Sequence, residues 1–418
     1  MIDIINKRVL DNPDKILIKY KNQNISYLSM NAMIDNASTF INNHKTDKYI
    51  GIQIHNKLKL LITILAANKL NLIPIIYPLY PNIADYIKTT KIPINLTDND
   101  IELNNKSSHF NAKTNYQKKT KTQFVVFTSG TSGQPKACEI SYENIEDSLK
   151  MWNNIIKFNL NDIYLNHMPL THISGLSIFY RALYYNFIME LDNFNNMNFL
   201  QKIQNNSFNI VSMVPTMIEK IKSINPSLKS LKNLKAIIIG GSKINKEIQD
   251  IIFKSNIPAY ISYGMTETSS GIAGYWGNKS QETLYKPHNN VNIYVDKSKI
   301  VVQSKAVMKK YFNGKKTNQI FTTSDVGEIN NNQLYLHNRI DDIIQSGGES
   351  VSIEYVKNYI ESYSEVKKCI IKIVPNNEWG NIMHAYIKFN TIIEDNMLLK
   401  KLKLDLPKHM IPKKIITL

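Results

Sequence analysis

The chain has 418 residues, 43% of them hydrophobic, enough for one large core and a small additional domain; its net charge is +17, from 51 Lys+Arg against 34 Asp+Glu. The lysines are dispersed and accompany Asn, Ile and Tyr throughout, so charge alone argues for neither a nucleic-acid partner nor an anionic membrane, although it would concentrate polyanionic small molecules. Cys138 and Cys369 lack metal-ligand spacing and fit a reducing compartment, no apolar run is long enough to span a membrane, and residues 1–7 carry Asp3 and no export or import signal, which predicts bacterial cytoplasm, or plastid stroma if the gene is organelle-encoded.

Along the chain, short β-branched runs alternate with helical patterns. Residues 49–54 and 72–77 read as strands with a helix at 57–70 between them. Within that helix, 60–67 is strongly apolar, as in a helix buried inside a protein. Further strands are expected at 124–127, 208–213, 235–239 and 259–262, each followed by a Gly, Ser or Pro turn and then a helical stretch. This alternation predicts an α/β fold with mostly parallel β-sheets flanked by helices, whose binding crevice lies at the carboxyl ends of the strands. Residues 104–122 are polar and basic and read as a loop or linker. Near Asp342 the pattern restarts, with a helix at 355–363 and extended segments at 368–374 and 384–389, a small α+β domain.

The sharpest local feature is Thr128-Ser129-Gly130-Thr131-Ser132-Gly133-Gln134-Pro135-Lys136, directly after an apolar strand. Gly130 and Gly133 let the backbone approach an anion closely, and consecutive amides can form an anion-binding nest. The hydroxyls of Thr128, Ser129 and Thr131 add donors, and Lys136 supplies a point charge for a leaving phosphate group. It is not a Walker A loop, because Pro135 and Ala137 stand where that motif needs Gly and Ser or Thr. A second strong string is Tyr263-Gly264-Met265-Thr266-Glu267-Thr268. Negative charge developing on phosphate calls for Mg²⁺, and Glu267 is the carboxylate to hold it. Thr266 offers a hydroxyl and Tyr263 a ring for stacking.

Taken in order, these strings resemble the acyl-adenylate-forming (AMP-binding) superfamily, which includes acyl- and aryl-CoA synthetases, peptide-synthetase adenylation domains and luciferases. Other segments fit the same pattern. Pro169-Leu170-Thr171-His172 resembles the motif that gates acid substrate against thiol. Val214-Pro215-Thr216 resembles the lining of the acid pocket, and Gly240-Gly241-Ser242 a turn packed on acyl group and adenine. Asp325 matches the ribose-binding carboxylate, and Arg339 a ribose or phosphate contact. Ser346-Gly347-Gly348-Glu349 resembles a loop that swings into the site for thioester formation, and Trp379-Gly380 matches a further small-domain motif.

The resemblance implies a large ATP- and acid-binding domain at 1–338 and a mobile small domain at 339–418, hinged near Asp341. It implies ATP, Mg²⁺ and coenzyme A, with a small carboxylic acid as substrate and neither nucleic acid nor membrane insertion. His172, Thr266, Glu267 and Lys136 would be catalytic, and Glu267 would hold the metal. The nucleotide would contact Thr128, Ser129, Gly130, Thr131, Ser132, Gly133, Lys136, Gly241, Ser242, Tyr263, Gly264, Thr266, Asp325 and Arg339. The variant strings are most similar to the o-succinylbenzoate–CoA ligase branch, which serves menaquinone and phylloquinone synthesis. Three departures stand out. The family's C-terminal Pro-x-x-x-x-Gly-Lys motif does not follow Lys413-Lys414, which predicts slow adenylation unless another cation serves. Ser352 replaces a customary proline, and Tyr184-Tyr185-Asn186 replaces a Gly-containing turn. The same strings also fit a ligase for another aryl or fatty acid or for a carrier protein, or a relative that binds ATP or acyl-AMP without turnover.

Overall fold

A computed structural model describes residues 1–43, 48–103, 121–128, 135–280, 284–339, 343–390 and 395–418. Two large sheets carry the site. The first is nine-stranded, and its centre is a parallel run made by Ala259–Met265, Ala236–Ile239, Ile210–Met213, Ile163–Asn166, Ile188–Leu191 and Ile16–Tyr20. Ala236–Ile239 and Ile210–Met213 are buried at every position. They show no polar alternation because both faces are covered, as central parallel strands require.

The second sheet is six-stranded, with Thr122–Thr128, Ile73–Ile76, Tyr49–Ile52 and Ile94–Leu96 parallel. Helix Lys57–Lys69 crosses between Tyr49–Ile52 and Ile73–Ile76. Its N-terminus is capped by Asn56, whose side chain accepts from the Leu58 and Lys59 amides. Leu60 to Asn68 are all buried, which explains the absence of a polar stripe.

Two of the expected strand–turn–helix units are instead hairpins. Thr122–Thr128 returns directly as Lys136–Ser141, antiparallel, with Thr128 opposite Lys136. Ala259–Met265 passes through a 3₁₀ turn at Thr266–Thr268 and returns as Ser270–Trp276. That reversal depends on a close approach: a Cβ at Gly264 would stand 2.3 Å from the Ser270 carbonyl oxygen. Ser269 completes the turn in the left-handed region at φ 58°. Thr122, expected in the linker, opens a strand, and residues 104–120 lie outside the described residues.

A four-stranded antiparallel sheet, Asn292–Asp296, Lys299–Gln303, Ile320–Asn330 and Gln333–Arg339, had no counterpart in the expected elements. Beyond it, Ile343–Ser346, Glu349–Ser352, Val366–Asn376, Gly380–Phe389 and Lys414–Thr417 form a mostly antiparallel sheet flanked by helices Ile353–Glu361 and Asp395–Asp405. These C-terminal elements close over a hydrophobic cluster of their own, running from Ile344 to Ile415.

Two departures from the family pattern have local explanations. Ser352 caps helix Ile353–Glu361, its side chain accepting from the Tyr355 amide. Asn186 ends helix Ile173–Tyr185 in the left-handed conformation at φ 60°, a role glycine often takes, and its side chain accepts the Tyr27 hydroxyl at 2.8 Å. No helix among the described residues is long and apolar enough to cross a membrane.

Candidate active site

A cavity of about 470 Å³ lies where the two large sheets meet the C-terminal unit. The cross-strand pair Thr128 and Lys136, the last rung before the connection between the two strands of the first hairpin, lines it. Residues 129–134, which include Ser129, Gly130, Thr131, Ser132 and Gly133, lie outside the described residues. Gly264, Thr266 and Glu267 from the second hairpin line the same cavity.

Tyr311 joins these two groups. Its hydroxyl donates to Glu267 Oε1 at 2.8 Å, and Lys136 Nζ lies 5.7 Å from the centre of its ring. Burial raises the Tyr311 pKa and the Glu267 charge raises it further, so the phenol stays protonated and donates. Glu267 is 8% exposed, and its backbone carbonyl accepts the Met308 amide at 2.7 Å. A buried carboxylate is thereby held facing a lysine-bearing strand. Among the described residues no cluster of three or more His, Cys, Asp and Glu could hold a metal. One carboxylate beside a threonine hydroxyl suits Mg²⁺, which keeps most of its water and takes further oxygens from phosphate.

The Tyr263 hydroxyl donates to Asp325 Oδ2 at 2.7 Å, so the ring expected at adenine and the carboxylate expected at ribose are adjacent. Asp325 pairs in register with Arg339, whose side chain lies outside the described part. Gly241 lines the cavity at φ +86°, following strand Ala236–Ile239, while its neighbour Ser242 is not among the lining residues. His172 opens helix Ile173–Tyr185, and its Nε2 lies 3.4 Å from Glu349 Oε2 of the glycine loop. A Cβ on Gly348, which sits at φ +90°, would stand 2.9 Å from Val214 Cγ2, so the loop packs on the expected acid-pocket segment. Asp341 lies outside the described residues.

Arg181 was not among the expected site residues. It is one of only three arginines in a chain whose other cations are lysines. It lines the cavity wall, is 2% exposed, and stacks its guanidinium 4.5 Å above the Trp152 ring. It donates to Ser270 Oγ at 2.8 Å and to the Tyr164 hydroxyl at 3.4 Å. No carboxylate pairs with it among the described residues. Burial lowers its pKa, yet a guanidinium stays charged, so an unneutralised cation faces the cavity.

Two histidines near these walls are held neutral. Burial brings His288 to about 3, assisted by the Arg181 charge, and brings His167 to about 4. Both values lie below the unfolded value of 6.5, so the unfolded chain binds more protons in the window between. Stability is therefore complete above about pH 6.5 and falls toward pH 4, by up to roughly 1.4 kcal/mol per pH unit for each histidine. Thermal melts from pH 8 to 4 should show this slope. His288→Asn should flatten it, and a melt profile that His288→Asn leaves unchanged would argue against the assignment.

The sequence pattern of the AMP-binding enzymes matches residues 83–312, a span that contains Lys136, His172, Arg181, Glu267 and Tyr311. The chain belongs to the AMP-binding enzyme family. Among curated members, a 2-succinylbenzoate–CoA ligase of Lactococcus lactis subsp. lactis (strain IL1403) is 30% identical over 296 residues, 68% of this chain and 64% of that protein. The ligase of the same name from Listeria monocytogenes serovar 1/2a is 27% identical, over 71% of this chain and 66% of that protein. The aligned part thus spans slightly less than two thirds of these AMP-binding relatives.

Solved structures show the same fold. An o-succinylbenzoate CoA synthetase double mutant from Bacillus subtilis, bound with a product analogue, superposes with TM-score 0.88 at 22% identity, covering 100% of this chain and 94% of that one. The Bacillus subtilis enzyme in complex with its acyl-adenylate intermediate gives 0.72 at 21% identity, covering 100% and 94%.

Proposed function

We propose that this AMP-binding enzyme is an ATP-dependent acid–thiol ligase, and that its acid is o-succinylbenzoate, activated in quinone biosynthesis. One observation carries the substrate assignment: Arg181, a buried cation with no anionic partner among the described residues, faces the cavity that also holds Glu267, Tyr311 and Lys136. A dicarboxylic acid fits this arrangement. One carboxylate reacts while the other neutralises Arg181, and the Trp152 indole beside it suits an aromatic ring. The names of the curated relatives support the same reading.

The reaction has two steps. A substrate carboxylate oxygen attacks the α-phosphorus of ATP, forming the acyl-adenylate as the bond to pyrophosphate breaks. The thiol sulfur of coenzyme A then attacks the acyl carbon, AMP leaves, and the thiol proton is released. Lys136 would offset the charge of the phosphate chain and Thr128 donate a hydrogen bond to it, while Tyr263 and Asp325 position the nucleoside. Glu267 would hold Mg²⁺, which when bound stabilises negative charge on the phosphates. Arg181 fixes the acid so that its reacting carboxylate lies toward the phosphates.

Residues 339–418 would act as a unit that changes position between the steps, pivoting near Asp341. We assign the arrangement seen here, with Gly348 and Glu349 in the cavity, to the thioester step. The closer superposition on the product-analogue complex supports that assignment.

The test is ATP–pyrophosphate exchange and thioester formation with o-succinylbenzoate, benzoate, malonate and a fatty acid. Exchange and coenzyme A thioester with o-succinylbenzoate alone are expected. ATP binding without exchange for any acid would overturn the ligase reading, and exchange with monocarboxylic acids only would overturn the substrate.

A further inference from the structure

At the edge of the cavity, one short segment of the large unit gathers contacts from two separate parts of the C-terminal unit. It runs from Tyr80 into the seven-residue helix Ala84–Thr90. The Tyr355 hydroxyl donates to Asp85 Oδ2 at 3.0 Å, between residues 270 positions apart in sequence. The Tyr80 ring meets His409 edge to face, with 5.6 Å between centroids.

The C-terminal side of this contact is stiff. Tyr355 and Tyr359 share one face of helix Ile353–Glu361, and Tyr363 follows just beyond its end. Their neighbouring rings lie 6.0 Å apart, and Tyr363 donates to Asp405 at 2.7 Å within its own unit. The stack is anchored at one end and reaches Asp85 at the other. On the far side of the contact, Thr89 donates to the Pro135 carbonyl at 3.2 Å, one residue before Lys136. Tyr80, Tyr86 and Glu349 all line the reaction cavity, so this contact borders it.

We propose that Asp85 and Tyr355 form a latch that positions the C-terminal unit, and with it Glu349 against His172, for the thioester step. This rests on the two-step reading above. Both are positioning residues: neither reaches the reacting atoms, and each acts by favouring the docked arrangement over others. A hydrogen bond to a charged carboxylate is among the stronger single contacts such a docking surface can carry. The arrangement used for adenylation does not need it.

The test separates the half-reactions in Tyr355→Phe, Asp85→Ala and the double variant. Single-turnover transfer from enzyme-bound acyl-adenylate to coenzyme A should fall about tenfold in each single variant and no further in the double. ATP–pyrophosphate exchange should stay within about twofold of the unaltered protein. Equal losses in both half-reactions, additive losses in the double variant, or no loss at all would overturn the latch.

A second readout needs no chemistry. Spin labels at Leu10→Cys and Leu404→Cys occupy positions 61% and 73% exposed, and both native cysteines are buried. The measured distance distribution should be narrow in the unaltered protein and broader and longer with Tyr355→Phe; identical distributions would overturn the latch. Should the unaltered protein catalyse neither half-reaction, the ligase reading fails, and the distance measurement still decides the latch.

Discussion

Glu267→Gln should slow adenylation by about 10²–10³, the usual effect of removing one preorganised charge from such a site. The substitution is chosen to keep shape: the amide oxygen of Gln can still accept the Tyr311 hydroxyl that now donates to Oε1 at 2.8 Å. What disappears is the negative charge, in a position only 8% exposed, where solvent screens little. The loss should be read as ATP–pyrophosphate exchange across a range of MgCl₂ concentrations, with the midpoint moving to higher metal. Tyr311→Phe should give the same direction with a smaller loss, because it removes one hydrogen bond to the carboxylate without neutralising it. Full activity of Glu267→Gln at low magnesium would remove Glu267 from the metal site.

Arg181→Met should raise the KM for o-succinylbenzoate by about 10²–10³, in line with the loss of a buried charge–charge contact. The same change should leave the melting temperature equal or higher. In the ligand-free protein the guanidinium carries the cost of burial with no carboxylate among the described residues to offset it, and Met fills similar space beside Trp152. The two readouts together discriminate. An arginine that merely holds the wall together would lower the melting temperature when removed and weaken all acids alike. A substrate-binding arginine should spare monocarboxylic acids and penalise the dicarboxylic one. Competition by benzoate and o-succinylbenzoate in the variant would measure that difference.

Some of this was readable from residue order and some was not. The glycine- and hydroxyl-rich string at 128–136 and the Tyr-Gly-Met-Thr-Glu string are local, because closely spaced backbone amides and side chains must meet one ligand. Thr128, Lys136, Gly264, Thr266 and Glu267 accordingly come together around one cavity. The central strands were legible because isoleucine-rich runs of that length suit a sheet covered on both faces.

Arg181 was not legible. In helix Ile173–Tyr185 a single arginine looks like a solvent-facing position, and only packing of Trp152 and Ser270 against it reveals a buried cation. Tyr311 was hidden for a related reason. It is one of 23 tyrosines, and its partners Lys136 and Glu267 lie far away in sequence. The four-stranded sheet from Asn292 to Arg339 escaped because strands such as Asn292–Asp296 are mostly exposed and carry little apolar periodicity.

The hairpin that carries Thr128 and Lys136 has a consequence for how this loop can vary. Its two ends are tied rung by rung, Thr128 to Lys136, Phe127 to Ala137 and Val126 to Cys138. Extra residues placed between them would enlarge the closure without sliding the ladder, since doubling a flexible loop costs only about 0.6 kcal/mol. Relatives that differ in the length of this connection can therefore keep the lysine at a constant distance from the acid across the cavity.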